Sequence, residues 1–134
     1  MTLDPTTPLT AVTGHTPAAS VWATGQAAPA AQRVRGRYHP DSVKHPAKML
    51  PAIVQHAVQA YTRPGDLVLD PMCGIGTTLV ESLHLGRRVV GVEYEARWAE
   101  LARSNLACSY FEADRYADAV DEFTRTLADR EQVL

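Results

Sequence analysis

The stretch from Leu67 to Thr78 constrains the fold more than any other part of the chain. A short apolar run, Leu67 to Leu69, ends on Asp70, passes through a Gly-x-Gly turn at Gly74 and Gly76, and enters a helical pattern. Glycines at those two positions permit backbone angles and close ligand approaches that a Cβ would block. In open α/β sheets ligands sit at the carboxyl ends of the strands, so the turn marks a binding crevice. A second apolar run, Val89 to Val92, closes on Glu93, seventeen residues after Gly76. A carboxylate there can accept hydrogen bonds from both hydroxyls of a ribose. The two linked features point to a nucleotide-type cofactor, more specifically than a lone glycine pair would.

Periodicity extends the unit in both directions. Leu50, Ile53, Val54, Ala57, Val58 and Tyr61 form the i, i+3, i+4 stripe of an amphipathic helix with Pro51 in its first turn. Arg63 to Asp66 supplies a turn with Pro64 and Gly65 as breakers. A strand over 66–70, a helix over 77–85 stopped by Gly86, and a second strand over 87–93 make a βαβ unit with parallel strands and a right-handed crossover. Asp70 and Glu93 then lie at the same end of the sheet. The expected fold class is α/β, a partial Rossmann-like unit preceded by one helix.

Composition sets the surroundings. The chain has 134 residues, 46% apolar and 21% charged, enough for one modest domain. Residues 1–32 hold eight Ala, seven Thr and four Pro, too little bulky apolar surface to offset ordering entropy, and a disordered tail is expected, with Trp22 as a partly exposed aromatic. Residues 33–63 carry six Lys or Arg against one acid, and residues 110–134 carry seven acids against three Arg. Arg33, Arg35, Arg37, Lys44 and Lys48 suit a phosphate backbone or a merely solvated face. The two cysteines, Cys73 and Cys108, show no metal or redox spacing, and no metal site is expected. No signal segment opens the chain and no apolar run approaches membrane-spanning length, so a cytoplasmic protein without membrane contact is expected.

Three segments together resemble the S-adenosyl-L-methionine-binding part of amino-group DNA methyltransferases, which methylate cytosine N4 or adenine N6. His45 to Met49 resembles the segment upstream of the glycine loop, Asp70 to Thr78 the loop itself, and Val92 to Tyr94 the ribose-binding acid. The resemblance covers about residues 33–105. The Asp70-Pro71 opening and the Thr77-Thr78 ending separate the loop from a dinucleotide-binding one, which would want a third glycine where Leu79 stands. It implies S-adenosyl-L-methionine as cofactor, held by Asp70, Pro71, Met72, Cys73, Gly74, Gly76, Thr77, Thr78 and Glu93, with His45 and Lys48 either near the cofactor carboxylate or in a mere phosphate or solvent contact. Asp70 would act on the methionine amine or on loop amides. Thr77 and Thr78 would cap the following helix, and Cys73 would fill the loop without acting as a nucleophile.

The family performs transfer with an Asp, Ser or Asn followed by Pro-Pro and an aromatic, and the chain contains no Pro-Pro. An exocyclic amine is a weak nucleophile that needs a positioned acceptor, and no residue here is assigned that role. The resemblance therefore implies a truncated member, inactive alone, with DNA as substrate and a second polypeptide supplying the catalytic half. Two other readings stand beside it: an RNA methyltransferase fragment, and a non-catalytic interaction module with a vestigial site. In residues 106–134, Leu106, Ala107, Tyr110, Tyr116, Ala119 and Phe123 resemble a single tetratricopeptide repeat turning at Asp114-Arg115, with Asp114 where glycine is usual, and a generic helical hairpin is the alternative. The expected organisation is a tail (1–32), a partial cofactor-binding domain (33–105) and a helical segment (106–134), with no sheet strand after residue 105.

Overall fold

The computed structural model describes residues 22, 24–25, 27–33, 36–121 and 124. Along the chain run α1 (Pro29–Gln32), a 3-10 turn (Pro40–Lys44), α2 (Pro51–Tyr61), β1 (Leu67–Asp70), α3 (Thr77–His84), β2 (Arg88–Gly91) and α4 (Ala96–Glu112). The strands pair in parallel, Leu67 opposite Arg88 through Asp70 opposite Gly91. Both are shorter than the sequence indicated, yet Val92 N–H still donates to Asp70 O (2.9 Å) and Cys73 N–H to Val92 O (3.0 Å). The ladder thus carries the glycine loop into register with Glu93.

Helix α3 is the centre of the packing, lying against both strands and against α2 and α4. Its Val80 and Leu79 are buried, and Leu79 joins Cys73 and Ala102 in a core flanked by Val89 and Leu106. Helix α2 starts at Pro51, whose missing N–H costs nothing in a first turn, and buries Pro51, Val54 and Val58. Its carboxyl end is closed by Arg87, whose guanidinium donates to Thr62 O (2.9 Å) and Thr62 Oγ1 (2.9 Å). That places a cation at the negative end of the helix dipole. The residue expected to start β2 is therefore spent as a helix cap.

Two buried polar hubs tie the upstream segment to this frame. Glu81, 1% exposed, accepts from Tyr38 Oη (2.6 Å) and Gln55 Nε2 (2.7 Å), with Arg37 at 3.5 Å. Asn105, fully buried, bonds to His39, Ser42 and Ile75.

The described part of the N-terminal stretch packs on α2. The Trp22 ring lies 4.6 Å from that of His56, and Gln32 Oε1 accepts from Ala52 N–H at 3.1 Å. Helix α4 runs unbroken through position 105. A turn follows at Asp114, whose φ of 57° is the left-handed conformation that favours glycine, and residues 116–121 are again helical. No strand follows residue 105 among the described residues. Phe123, one of the repeat-like positions, lies outside them. No helix among the described residues is long and apolar enough to cross a membrane.

Candidate functional site

The carboxyl ends of β1 and β2 open into a cleft of about 880 Å3. Nine of the eleven residues singled out from sequence line it: His45, Asp70, Pro71, Met72, Cys73, Gly74, Thr77, Thr78 and Glu93. Gly76 and Lys48 do not. Gly76 is the N-cap of α3 in the left-handed conformation (φ 78°), and a Cβ there would meet the Ala102 Cβ at 3.2 Å. Its role is to let the loop turn against α4. Lys48 folds back, donating from Nζ to Val43 O (3.0 Å) and to His45 O, and so closes the turn that carries His45.

The loop is held by the two acids. Asp70 Oδ1 accepts from Met72 N–H (3.1 Å), starting the turn. Glu93 Oε2 accepts from Gly74 N–H (2.8 Å) and its Oε1 from Glu95 N–H (2.9 Å). The Glu95 amide, then those of Gly74 and Tyr94, hold the Glu93 carboxyl below the usual range. Each carboxylate oxygen keeps a further lone pair for a ligand.

The capping role expected of Thr77 and Thr78 is not observed, because the left-handed Gly76 occupies the N-cap and α3 has no side-chain cap. Thr77 lines the cleft but is only 2% exposed, and its Oγ1 is buried without a partner. Gly74 adopts φ 54°, and a Cβ there would come within 3.3 Å of His45 Nε2. Cys73 is 9% exposed, and burial, then the charges of Asp70 and Glu93, push its thiol up to about 11. It packs as a small apolar residue.

Sequence reasoning missed Trp98. It stands in the first turn of α4, five residues after Glu93, and its ring meets that of His45 edge-on at 4.5 Å. An aromatic one helical turn beyond the second strand's acid was the available signal. The basic segment is more engaged than its charge pattern implied. Arg33 donates to Met49 O (2.9 Å), Arg37 pairs with Glu81, and Lys44 pairs with Asp41 (2.9 Å). Arg35 lies outside the described residues. No three His, Cys, Asp or Glu side chains gather as a metal site among the described residues.

Strand, glycine loop, helix and a second strand tipped by an acid define a partial Rossmann-like α/β protein. A family model described as DNA methylase, of the N6/N4 methyltransferases, matches residues 11–104, and the chain belongs to that family. It is 38% identical over 63 residues to the Type II methyltransferase M2.DpnII of Streptococcus pneumoniae, covering 47% of this chain and 24% of that protein. It is 29% identical over 101 residues to the DNA adenine methyltransferase YhdJ of Escherichia coli (strain K12), covering 74% and 34%. The solved M1.HpyAVI-SAM complex matches with a TM-score of 0.47 and 30% identity, over 55% of this chain and 36% of that one. The chain spans about a quarter to a third of the length of these curated relatives.

Proposed function

We propose that this chain forms the S-adenosyl-L-methionine-binding part of an enzyme that methylates an exocyclic amine of a DNA base. The observation that carries this is the convergence, in one cleft, of the Asp70 and Glu93 carboxylates with the glycine loop that Glu93 holds through Gly74 N–H. The residues present fit the cofactor. Glu93 has lone pairs for the ribose hydroxyls, Asp70 has a second oxygen for the ammonium, and the first turn of α3 offers backbone donors for the carboxylate. When bound, the cofactor supplies a methyl group activated on sulfonium. The chain's residues hold and orient it, and Gly74 leaves the loop surface free of a Cβ on that side.

Transfer in this reading needs a polypeptide that contributes the Pro-Pro-aromatic segment, which these 134 residues lack. The exposure of Leu67, Leu69, Val90 and Val92 on the sheet supports such a partner. A duplex substrate would present its base flipped out of the stack, and a DNA substrate places the work in the cytoplasm. Calorimetric titration of S-adenosyl-L-methionine tests the cofactor assignment. Saturable binding that is lost in both Asp70→Ala and Glu93→Ala sustains it, and a folded wild-type chain without saturable binding overturns it.

A further inference from the structure

The Asn105 amide lies beneath the glycine loop, outside the cleft, and every one of its hydrogen-bonding positions is used. Its Oδ1 accepts from His39 N–H (2.6 Å) and Ser42 Oγ (3.1 Å). Its Nδ2 donates to Ser42 Oγ (3.0 Å) and to Ile75 O (2.8 Å). Ile75 is the residue between Gly74 and Gly76, and it is 2% exposed. Gly74 and Gly76 both sit at positive φ, in a segment whose glycines give the backbone freedom to take other shapes. A carbonyl fixed from behind removes that freedom, because turning the Ile75 peptide would leave both its oxygen and the Asn105 donor buried and unpaired. The same side chain holds the segment at His39 and Ser42, from which the chain runs through the 3-10 turn to His45 on the cleft wall.

We propose that Asn105 is a positioning residue for cofactor binding: through Ile75 O it locks the glycine loop in its ligand-receiving shape. This rests on the cofactor assignment above. It distinguishes Asn105 from an ordinary buried polar residue, whose loss would affect stability and affinity in proportion.

The test uses the full chain and two substitutions. Asn105→Asp keeps an oxygen to accept from His39 and Ser42 and removes the donor to Ile75 O; Ser42→Ala leaves that donor in place. Amide hydrogen exchange without ligand is expected to quicken at Gly76 by tenfold or more in Asn105→Asp, with α3 unchanged, and by less than threefold in Ser42→Ala. Titration with S-adenosyl-L-methionine is expected to show at least tenfold weaker binding in Asn105→Asp and less than threefold weaker binding in Ser42→Ala, though both melt earlier. Unaltered loop exchange in a folded Asn105→Asp overturns the proposal whether or not the wild type binds the cofactor. Equal losses in the two variants also overturn it. A wild type that does not bind, with the loop loosened as expected, refutes the cofactor assignment and confines the role of Asn105 to loop order, which overturns its part in binding. Where Asn105→Asp does not fold, the Asn105 side-chain amide protons of the wild type decide by NMR. Slow exchange that slows further with cofactor upholds the proposal, and fast or unresponsive exchange overturns it.

Discussion

Glu93 and Gly74 are joined across the mouth of the cleft, the Glu93 carboxylate at the end of one strand accepting the Gly74 N–H from the loop that follows the other at 2.8 Å. Because the backbone amides of Glu95, Gly74 and Tyr94 favour the charged form, the folded carboxyl lies below its ordinary value. A depressed carboxylate pKa adds stability that is complete above the unfolded value, about 4.3, and is lost as pH falls through the folded one. Glu93→Gln should therefore be less stable than wild type at pH 7, and the two should converge in acid. Urea midpoints measured from pH 7 down to pH 3 check this, and a constant difference across the range would contradict it.

Glu81 should matter more to stability than any surface acid. Replacing it with Ala strands Tyr38, Gln55 and Arg37 around a buried hole, and removing one partner of a buried charged network costs about 3–5 kcal/mol. Arg37 is 24% exposed on its side chain and can reach water, which favours the lower end. Urea unfolding measures the loss, and a change under 1 kcal/mol would refute the network's importance. Burial and then the Glu81 charge raise the Tyr38 phenol well above the usual tyrosine range. The stabilisation linked to this shift is present below the unfolded value, about 10, and is lost as pH rises through the folded one. Ultraviolet titration should show one tyrosine ionising later than the rest, and Tyr38→Phe should remove that step.

What the sequence made legible was local. The stripe from Leu50 to Tyr61, the apolar runs leading to Asp70 and Glu93, and the glycine turn each lie within about a dozen residues, and each forms the expected element, the second strand trimmed to Arg88–Gly91. The hubs were not legible, because Asn105 and Ser42 are 63 residues apart and Tyr38 and Glu81 are 43 apart. No local pattern marks a mid-helix Asn or Glu as buried. Thr77 was misread for a related reason: a Thr at a helix start usually caps, but Gly76 in the left-handed conformation already fills that position. The role of Lys48 depended on where its side chain turns, which spacing does not reveal.

Two glycines separate packing from backbone strain. A Cβ on Gly91 would lie 2.5 Å from Leu79 Cδ1 and 2.9 Å from Cys73 Sγ, so Gly91→Ala presses on the core and on the glycine loop. Overpacking of this kind costs about 1–3 kcal/mol. A Cβ on Gly65 would meet nothing within 4 Å, but its φ is 89°, and the left-handed backbone alone costs about 1–2 kcal/mol. The two variants should be comparably destabilised, yet only Gly91→Ala should weaken S-adenosyl-L-methionine binding. Denaturation and titration of both variants together check the distinction, and equal affinity in the two would refute it.

The buried Cys73 thiol should be inert while the protein is folded. Thiolates react and thiols do not, and a thiol held at about 11 is almost wholly protonated at neutral pH. Iodoacetamide at pH 7.5, followed by peptide mass spectrometry, should leave Cys73 unmodified in native protein and label it fully in urea. Rapid native labelling would show that the loop opens more readily than its hydrogen bonds indicate.

The sheet face away from α3 yields a prediction about association. Leu67 is 54% exposed, Leu69 59%, Val90 46% and Val92 55%, and the register sets Leu69 beside Val90. On the other face Val68 and Val89 are shielded. Parallel strands are ordinarily covered on both faces, so this apolar patch beside a two-stranded sheet favours contact with other apolar surface. Leu69→Lys removes little that the monomer buries, and its stability should stay within about 0.5 kcal/mol of wild type. Concentration-dependent self-association, followed by sedimentation velocity, should diminish in the variant. A large loss of stability would mean that Leu69 is covered within the monomer, and unchanged association would mean that the contact lies elsewhere.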